Sequence, residues 1–331
     1  MGPVDPLIET HLRSQLLDRQ RRLQSAVAGG SEAAHLTDLL REVDQALERV
    51  KDGTYGQCEV CHDSVEQDRL LSDPLCRNCL DHLTDGERKA LEDDLDLAYQ
   101  IQSALLPKKE LVVNGWRVVH HYEPAGPVSG DYCDIIEPPD QPGSVYFLIG
   151  DVSGKGVAAS ILMSHLHAIF RSLVVANLSV DQLTERANRL FAGGTLATHF
   201  ATLVCGRAAA SGEVEICNAG HCPPLLIQGK NVVRIPATGL PIGLFAHSQF
   251  ARTKVTLTPG DTLLLYTDGL TESRNPSNVE YGEDRLRSFL GHQRSFAPKE
   301  LVAACLHDLA TFRYGAPRLD DLTVMAVQRE R

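Results

Sequence analysis

Apolar positions along the chain follow three successive rhythms. From residue 7 to 27 the sequence is rich in helix formers, and Leu12, Leu16, Leu23 and Ala26 share one stripe, which predicts an amphipathic helix. After the Ala28-Gly29-Gly30-Ser31 break, Leu36, Leu40, Val43, Leu47 and Val50 recur at the 4,3,4,3 spacing of a coiled-coil seam. Helices this short are marginal alone in water, so the two are expected to bury their stripes in an antiparallel hairpin. Thr84-Asp85-Gly86-Glu87 has the form of a capping box, and the helix it starts carries Leu91, Leu95, Ala98 and Leu105 near one face until Pro107 stops it. Beyond residue 108 the rhythm changes to short β-rich runs at 116–122, 145–152, 200–207, 214–218, 261–267 and 322–327. Helical patterns interrupt them at 156–177, 180–191, 283–290 and 298–312. Many strands without strict β-α-β alternation predict an α+β domain of layered, largely antiparallel sheets.

These boundaries divide the chain into residues 1–83, a connecting helix over 84–107 and a catalytic-sized domain over 108–331. Composition adds exclusions. With 32 basic against 43 acidic residues, the net charge is −11, which repels nucleic-acid backbones. The apolar stretches at 144–149 and 161–175 read as interrupted or too short to cross a bilayer, and no apolar signal region follows Met1. The opening Met-Gly has Pro6 where a lipidation signal needs Ser or Thr. A cytoplasmic location without a membrane anchor is the expectation.

Four of the nine cysteines form two knuckles, Cys58-Glu59-Val60-Cys61 and Cys76-Arg77-Asn78-Cys79, with fourteen residues between them. That spacing suits one tetrahedral structural Zn²⁺ held by Cys58, Cys61, Cys76 and Cys79. The run Ala46 to Arg49, then Gly53-Thr54-Tyr55-Gly56, the first knuckle, Arg69-Leu70, Pro74 and the second knuckle resembles the DksA/TraR zinc-finger family. Members of that family insert an acidic hairpin tip into RNA polymerase. Here Glu32 is the only acidic residue of the tip at 28–35, and residues 1–83 carry 9 basic and 15 acidic side chains, which argues against direct DNA binding.

Aspartates recur where strands end or turn: Gly130-Asp131-Tyr132, Gly150-Asp151-Val152, Thr267-Asp268-Gly269 and Leu319-Asp320-Asp321. Converging carboxylates are hard oxygen ligands and suit Mg²⁺ or Mn²⁺. Residues 150–156 do not form a nucleotide phosphate loop: only three residues separate Gly150 from Gly154, and Gly156 stands where a Mg²⁺-binding hydroxyl is needed.

Five ordered segments, Ala125 to Tyr132, Gly150 to Gly156, Asn218-Ala219-Gly220-His221 with Pro223-Pro224, Leu265 to Gly269 and Asp320 to Thr323, together with the entry helix ending in Leu105-Leu106-Pro107, resemble the SpoIIE/RsbU-type phosphatases, a branch of the PPM (type-2C) superfamily. The resemblance implies a β-sandwich flanked by helices in αββα layers. It further implies protein-serine/threonine phosphatase activity by a metal-activated water, with two Mg²⁺ or Mn²⁺ ions held by Asp131, Asp151, Asp268, Asp320 and the Val152 carbonyl. The implied substrate is a phosphorylated STAS-type anti-sigma-factor antagonist. Lys155 would either steady the substrate phosphate or remain solvated. His221 would either protonate the leaving oxygen or order the 218–224 turn. Asp321 and Thr323 would support Asp320. Ser129, Cys133 and Cys222 depart from the family pattern, and the two thiols are either inert or responsive to oxidation. The N-terminal parts would form a regulatory arm, with dimerisation through helices. The competing reading is a non-enzymatic transcription regulator that binds RNA polymerase and carries a C-terminal sensor domain.

Overall fold

The computed structural model describes residues 6–28, 33–66, 69–70, 73–139, 141–195, 199–293 and 297–330. The chain forms two compact units, Met1–Asp94 and Leu95–Arg331.

In the first unit, α1 (Pro6–Ala28) and α2 (Ala33–Lys51) pack on each other through Leu12, Leu16, Leu23, Val43 and Leu47, all buried. Gln20 ties them by donating to Asp44 Oδ1 at 2.6 Å. Tyr55, Cys58, Val65, Leu70, Cys76 and Cys79 join the same core, so the cysteine segment and the hairpin bury one another's apolar faces. Residues 29–32 of the expected 28–35 tip and the Ala26 side chain lie outside the described residues.

Helix α3 (Asp85–Leu105) begins with the expected capping box: the Thr84 amide donates to Glu87 Oε2 at 2.9 Å, and the Glu87 amide donates to Thr84 Oγ1 at 3.2 Å. The boundary between the two units falls inside this helix.

The second unit contains two antiparallel sheets. The strands are β1 (Glu110–Val113), β2 (Trp116–Glu123), β3 (Asp131–Ile136), β4 (Ser144–Val152), β5 (Ala201–Ala209), β6 (Glu213–Ala219), β7 (Leu225–Gln228), β8 (Asn231–Arg234), β9 (Thr253–Thr256), β10 (Thr262–Tyr266) and β11 (Leu322–Arg329). One sheet runs β1-β2-β11-β10-β7-β8 and the other β3-β4-β5-β6-β9. The helices are α4 (Gly156–Leu173), α5 (Val180–Gly194), the single turn α6 (Asp268–Thr271), α7 (Glu283–His292) and α8 (Pro298–Arg313).

Alternation along the strands builds the layers, because successive side chains point to opposite faces. Phe147, Ile149, Leu263, Leu265, Met325 and Val327 fill the space between the sheets. Their neighbours Tyr146 and Leu148 face out to Met163, Leu166 and Phe170 of α4 and to Leu183 and Phe191 of α5. Leu264, Tyr266, Val324 and Ala326 face Leu286 of α7 and Leu301, Cys305 and Leu309 of α8. Two helices cover each outer sheet face, the αββα arrangement expected from the family resemblance. Helix α4 with its 3-10 extension to Ala176 corrects one expectation, being long and apolar enough to cross a bilayer by length and composition. In this fold its apolar side packs on the five-stranded sheet.

Candidate active site

Each sheet delivers two of the four predicted aspartates to one place. Asp131 opens β3 and is paired in register with Asp151 near the end of β4. Asp268 heads α6 immediately after β10, and Asp320 precedes β11. A hydroxyl staple joins the two pairs: Asp131 Oδ2 accepts from Thr267 Oγ1 at 3.0 Å and Thr323 Oγ1 at 2.5 Å. Thr267 and Thr323 are themselves linked, the Thr323 amide donating to Thr267 Oγ1 at 3.0 Å. All three side chains are buried.

The electrostatics register the convergence. Burial, then the charges of Asp268, Asp320 and Asp321, push the Asp151 carboxyl up to about 7. Burial and Asp320 raise Asp268, and burial, opposed by the threonine hydroxyls and reinforced by Asp151, raises Asp131. Buried carboxylates that repel one another in this way form a hard, anionic oxygen donor set, which divalent ions such as Mg²⁺ and Mn²⁺ fit.

The backbone here is crowded. A Cβ on Gly130 would meet the Val152 carbonyl oxygen at 3.1 Å and Asp151 Oδ1 at 3.4 Å; the Val152 amide donates to the Gly130 carbonyl at 3.2 Å. A Cβ on Gly269 would lie 1.8 Å from the Asp321 carbonyl oxygen, so only glycine permits the approach of α6 to the loop before β11. Asp321 is engaged by the 125–130 loop, accepting from the amides of Ala125 at 2.7 Å and Gly130 at 2.9 Å. The Asp320 charge acts on both Asp151 and Asp268.

Lys155 Nζ donates to Asp320 Oδ2 at 3.0 Å and to the Leu319 carbonyl at 2.9 Å. It borders a hollow of about 170 Å³ with Gly269, Glu272, Ser273, Arg274 and Asp320. His221 lies deeper. Its amide donates to Asn218 Oδ1 at 2.8 Å, the Asn218 side chain donates back to the His221 carbonyl at 3.1 Å, and Nδ1 sits 2.8 Å from Thr202 Oγ1. Burial drives this imidazole down to about 4. It is therefore neutral at pH 7, an orderer of the turn with no imidazolium proton to give. Burial likewise pushes Cys222 up to about 12 and Cys133 well above the usual thiol range, which makes both poor nucleophiles.

One contact had no signal in the motifs. Gln102 of α3, buried, donates its amide to the Ser129 carbonyl at 2.7 Å and accepts from the Ser129 amide at 3.0 Å. Ser129 Oγ in turn accepts from the Asp131 amide at 3.0 Å. The serine that replaces a glycine of the family pattern is thus a bridge from helix to aspartate.

In the first unit the four expected zinc ligands do not all meet. Cys58, Cys61 and Cys79 come together, but the fourth donor in the group is His82, all four ligand atoms lying within 4.8 Å of one another. Cys76 stands outside, its Sγ directed at the Asn78 carbonyl at 3.4 Å. Burial opposes ionisation of Cys58, yet hydrogen bonds from the Cys61, Cys79 and Val60 backbone draw it down to about 6. The sequence did contain the signal, because Cys79-Leu80-Asp81-His82 has the same spacing as a knuckle.

Two face-to-face antiparallel sheets, helices on both outer faces and four aspartates at one end define the class as a PP2C-like domain. The SiaA-PP2C domain of Pseudomonas aeruginosa has this fold, with a TM-score of 0.66 at 19% identity over 75% of this chain and 99% of that one. The sequence model of the Stage II sporulation protein E (SpoIIE) family matches residues 141–330, and the chain belongs to that family. Among curated relatives, Protein IcfG of Synechocystis is 28% identical over 71% of this chain and 41% of its own length. Phosphoserine phosphatase RsbU of Bacillus subtilis is 25% identical over 74% of this chain and 72% of its own. The chain therefore spans less than half of the first of these relatives and most of the second.

Proposed function

We propose that the chain is a metal-dependent protein-serine/threonine phosphatase. The observation that carries this reading is the meeting of Asp131, Asp151, Asp268 and Asp320 from two sheets, where burial and neighbouring negative charge raise the carboxyls of Asp131, Asp151 and Asp268. These four, with the Val152 carbonyl beside Gly130, would hold two Mg²⁺ or Mn²⁺ ions. Bound ions of this kind supply a water acidic enough to attack phosphorus at neutral pH. Around them the protein's own groups have separate tasks. Thr267 and Thr323 hold Asp131 in its rotamer, Asp321 fixes the 125–130 loop, and Lys155 sits at the rim, where a substrate phosphate would replace Asp320 as its partner.

RsbU, named a phosphoserine phosphatase, supports a phosphoserine substrate; on the motif resemblance we take that substrate to be a STAS-type anti-sigma-factor antagonist in a partner-switching circuit, and we place the circuit in the cytoplasm. Residues 1–83 form, in this reading, a DksA/TraR-like module with one structural Zn²⁺. Residues 84–107 form the connector through which that module regulates residues 108–331, as a homodimer. The test is phosphate release from a phosphoserine protein with Mn²⁺, Mg²⁺ or chelator, alongside a zinc measurement on the same protein. Release that needs Mn²⁺ or Mg²⁺ and stops with chelator is expected. No release with either metal, together with binding to RNA polymerase, would replace the enzyme by the transcription-regulator alternative.

A further inference from the structure

We propose that the second unit contains a binding pocket for a small monocarboxylic acid with an apolar body, lined by the last turns of α3 and the end of β2 and distinct from the aspartate cluster.

The cavity has a volume of about 350 Å³, within the range of small-molecule sites. Tyr99 and Ser103, four residues apart on one face of α3, border it, and Leu106 and Pro107 continue the lining where the helix ends. Pro124 adds apolar surface from the segment after β2. None of the four predicted metal aspartates lines this space. A compact apolar body therefore meets ring and aliphatic surface from both helix and strand.

The polar lining selects the charge. His120 is only 6% exposed, and its Nδ1 has no hydrogen-bond partner among the described residues. Buried polar atoms in native proteins are almost always paired, so this imidazole awaits a partner that the protein itself does not supply. Burial, then the charges of His121 and Lys109, bring it down to about 4, with Asp134 acting the other way. The ring is thus neutral at pH 7 and offers one N–H and one lone pair. Surroundings that disfavour a cation on His120 favour an anion beside it. The nearby acid, Glu123, is already engaged, 3.0 Å from His121 and 2.7 Å from Arg318. Lys109, exposed at the mouth, pairs with no acidic side chain among the described residues.

One free ammonium, one imidazole N–H and apolar walls match a single carboxylate on an apolar body, which accepts from both donors. A dianion such as phosphate would lack a second cation here. An amine would meet the Lys109 charge with no carboxylate to receive it.

The test titrates the full chain calorimetrically with phenylacetate and with two analogues of nearly the same shape, uncharged 2-phenylethanol and cationic phenethylamine. One phenylacetate per chain is expected, with a Kd of about 1 mM or tighter. The analogues should bind at least about tenfold more weakly, the equivalent of one charged hydrogen bond. Lys109→Met should weaken phenylacetate by a similar factor, and Ser103→Phe, which fills the mouth, should abolish its binding. Both positions are exposed, and native Trp116 emission checks that the variants fold. In nuclear magnetic resonance spectra the His120 ring signals should move as phenylacetate is added. Absence of saturable phenylacetate binding, or equally tight binding of either analogue, would overturn the proposal. Binding untouched by both substitutions would do so too, by marking an adventitious additive only.

Discussion

Replacing Gln102 by leucine isolates the link between α3 and the aspartate loop. The substitution nearly preserves shape but removes both hydrogen bonds to Ser129, at 2.7 and 3.0 Å. Ser129 is fully buried, so its amide and carbonyl are left without partners in an apolar setting. Each lost bond is worth about 1 kcal/mol and each orphaned buried group about 1–3 kcal/mol, which brackets the expected loss at roughly 2–6 kcal/mol. The protein contains a single tryptophan, Trp116, buried between the two sheets with its indole N–H donating to the Ala209 carbonyl at 3.0 Å. Urea unfolding followed by tryptophan emission therefore reports on the second unit alone. A second readout separates global from local effects. Ser129 also accepts the Asp131 amide, so loosening it should raise the Mn²⁺ concentration needed for half-maximal phosphate release while saturating metal restores turnover. A Gln102→Leu protein within about 0.5 kcal/mol of wild type, with an unchanged Mn²⁺ requirement, would refute the argument that this side chain braces the loop.

Three further outcomes are expected. Asp151→Asn should abolish phosphate release with native Trp116 emission retained; substantial turnover would remove Asp151 from the ligand set. In the presence of chelator, wild type should lose stability relative to Asp151→Asn as pH rises from 5 to 8, because Asp151 titrates near 7 when folded against 3.8 as its ordinary value, so the folded state holds the extra proton. The loss is about 2–3 kcal/mol, and taking the difference between the two proteins cancels the opposite slope of His120 and His221, held near 4 by burial; Mn²⁺ should flatten the dependence, and a difference that stays constant between pH 5 and 8 would contradict it. Finally, Arg171→Met should cost about 3 kcal/mol in the same urea assay, since it strips the fully buried Asp134 carboxylate of hydrogen bonds at 2.8 and 2.6 Å; pairing it with Asp134→Leu should recover most of that loss, and a double variant as unstable as the single one would count against the charge argument.

The long strands and helices of the second unit were legible because their alternation is strong: the runs at 145–152 and 322–327 became β4 and β11 nearly unchanged. Strand β3 escaped because Asp131 and Asp134 interrupt its apolar pattern. What makes Asp134 tolerable in a strand interior is Arg171, 37 residues away, and local periodicity contains no information about such a partner. The short strands β1, β7, β8 and β9, four residues each, lack enough alternation to stand out from loops. At the zinc module, spacing singled out the repeated Cys-x2-Cys form and passed over Cys79-x2-His82, which overlaps it and places His82 beside Cys58, Cys61 and Cys79. The aspartates were readable one by one, whereas the hydroxyl staple that ties them together depends on Thr267 and Thr323 meeting across adjacent strands.

The division of the aspartates between the two sheets has a mechanical implication. Asp268 and Asp320 ride on segments in direct main-chain contact at Gly269 and Asp321, so they can shift only as one jaw. Asp131 and Asp151, paired on one rung of the opposing sheet, form the other. A slight sliding of one sheet over the other would widen or narrow the bite without unfolding either, and the two threonine hydroxyls are the latch that such a movement would have to release.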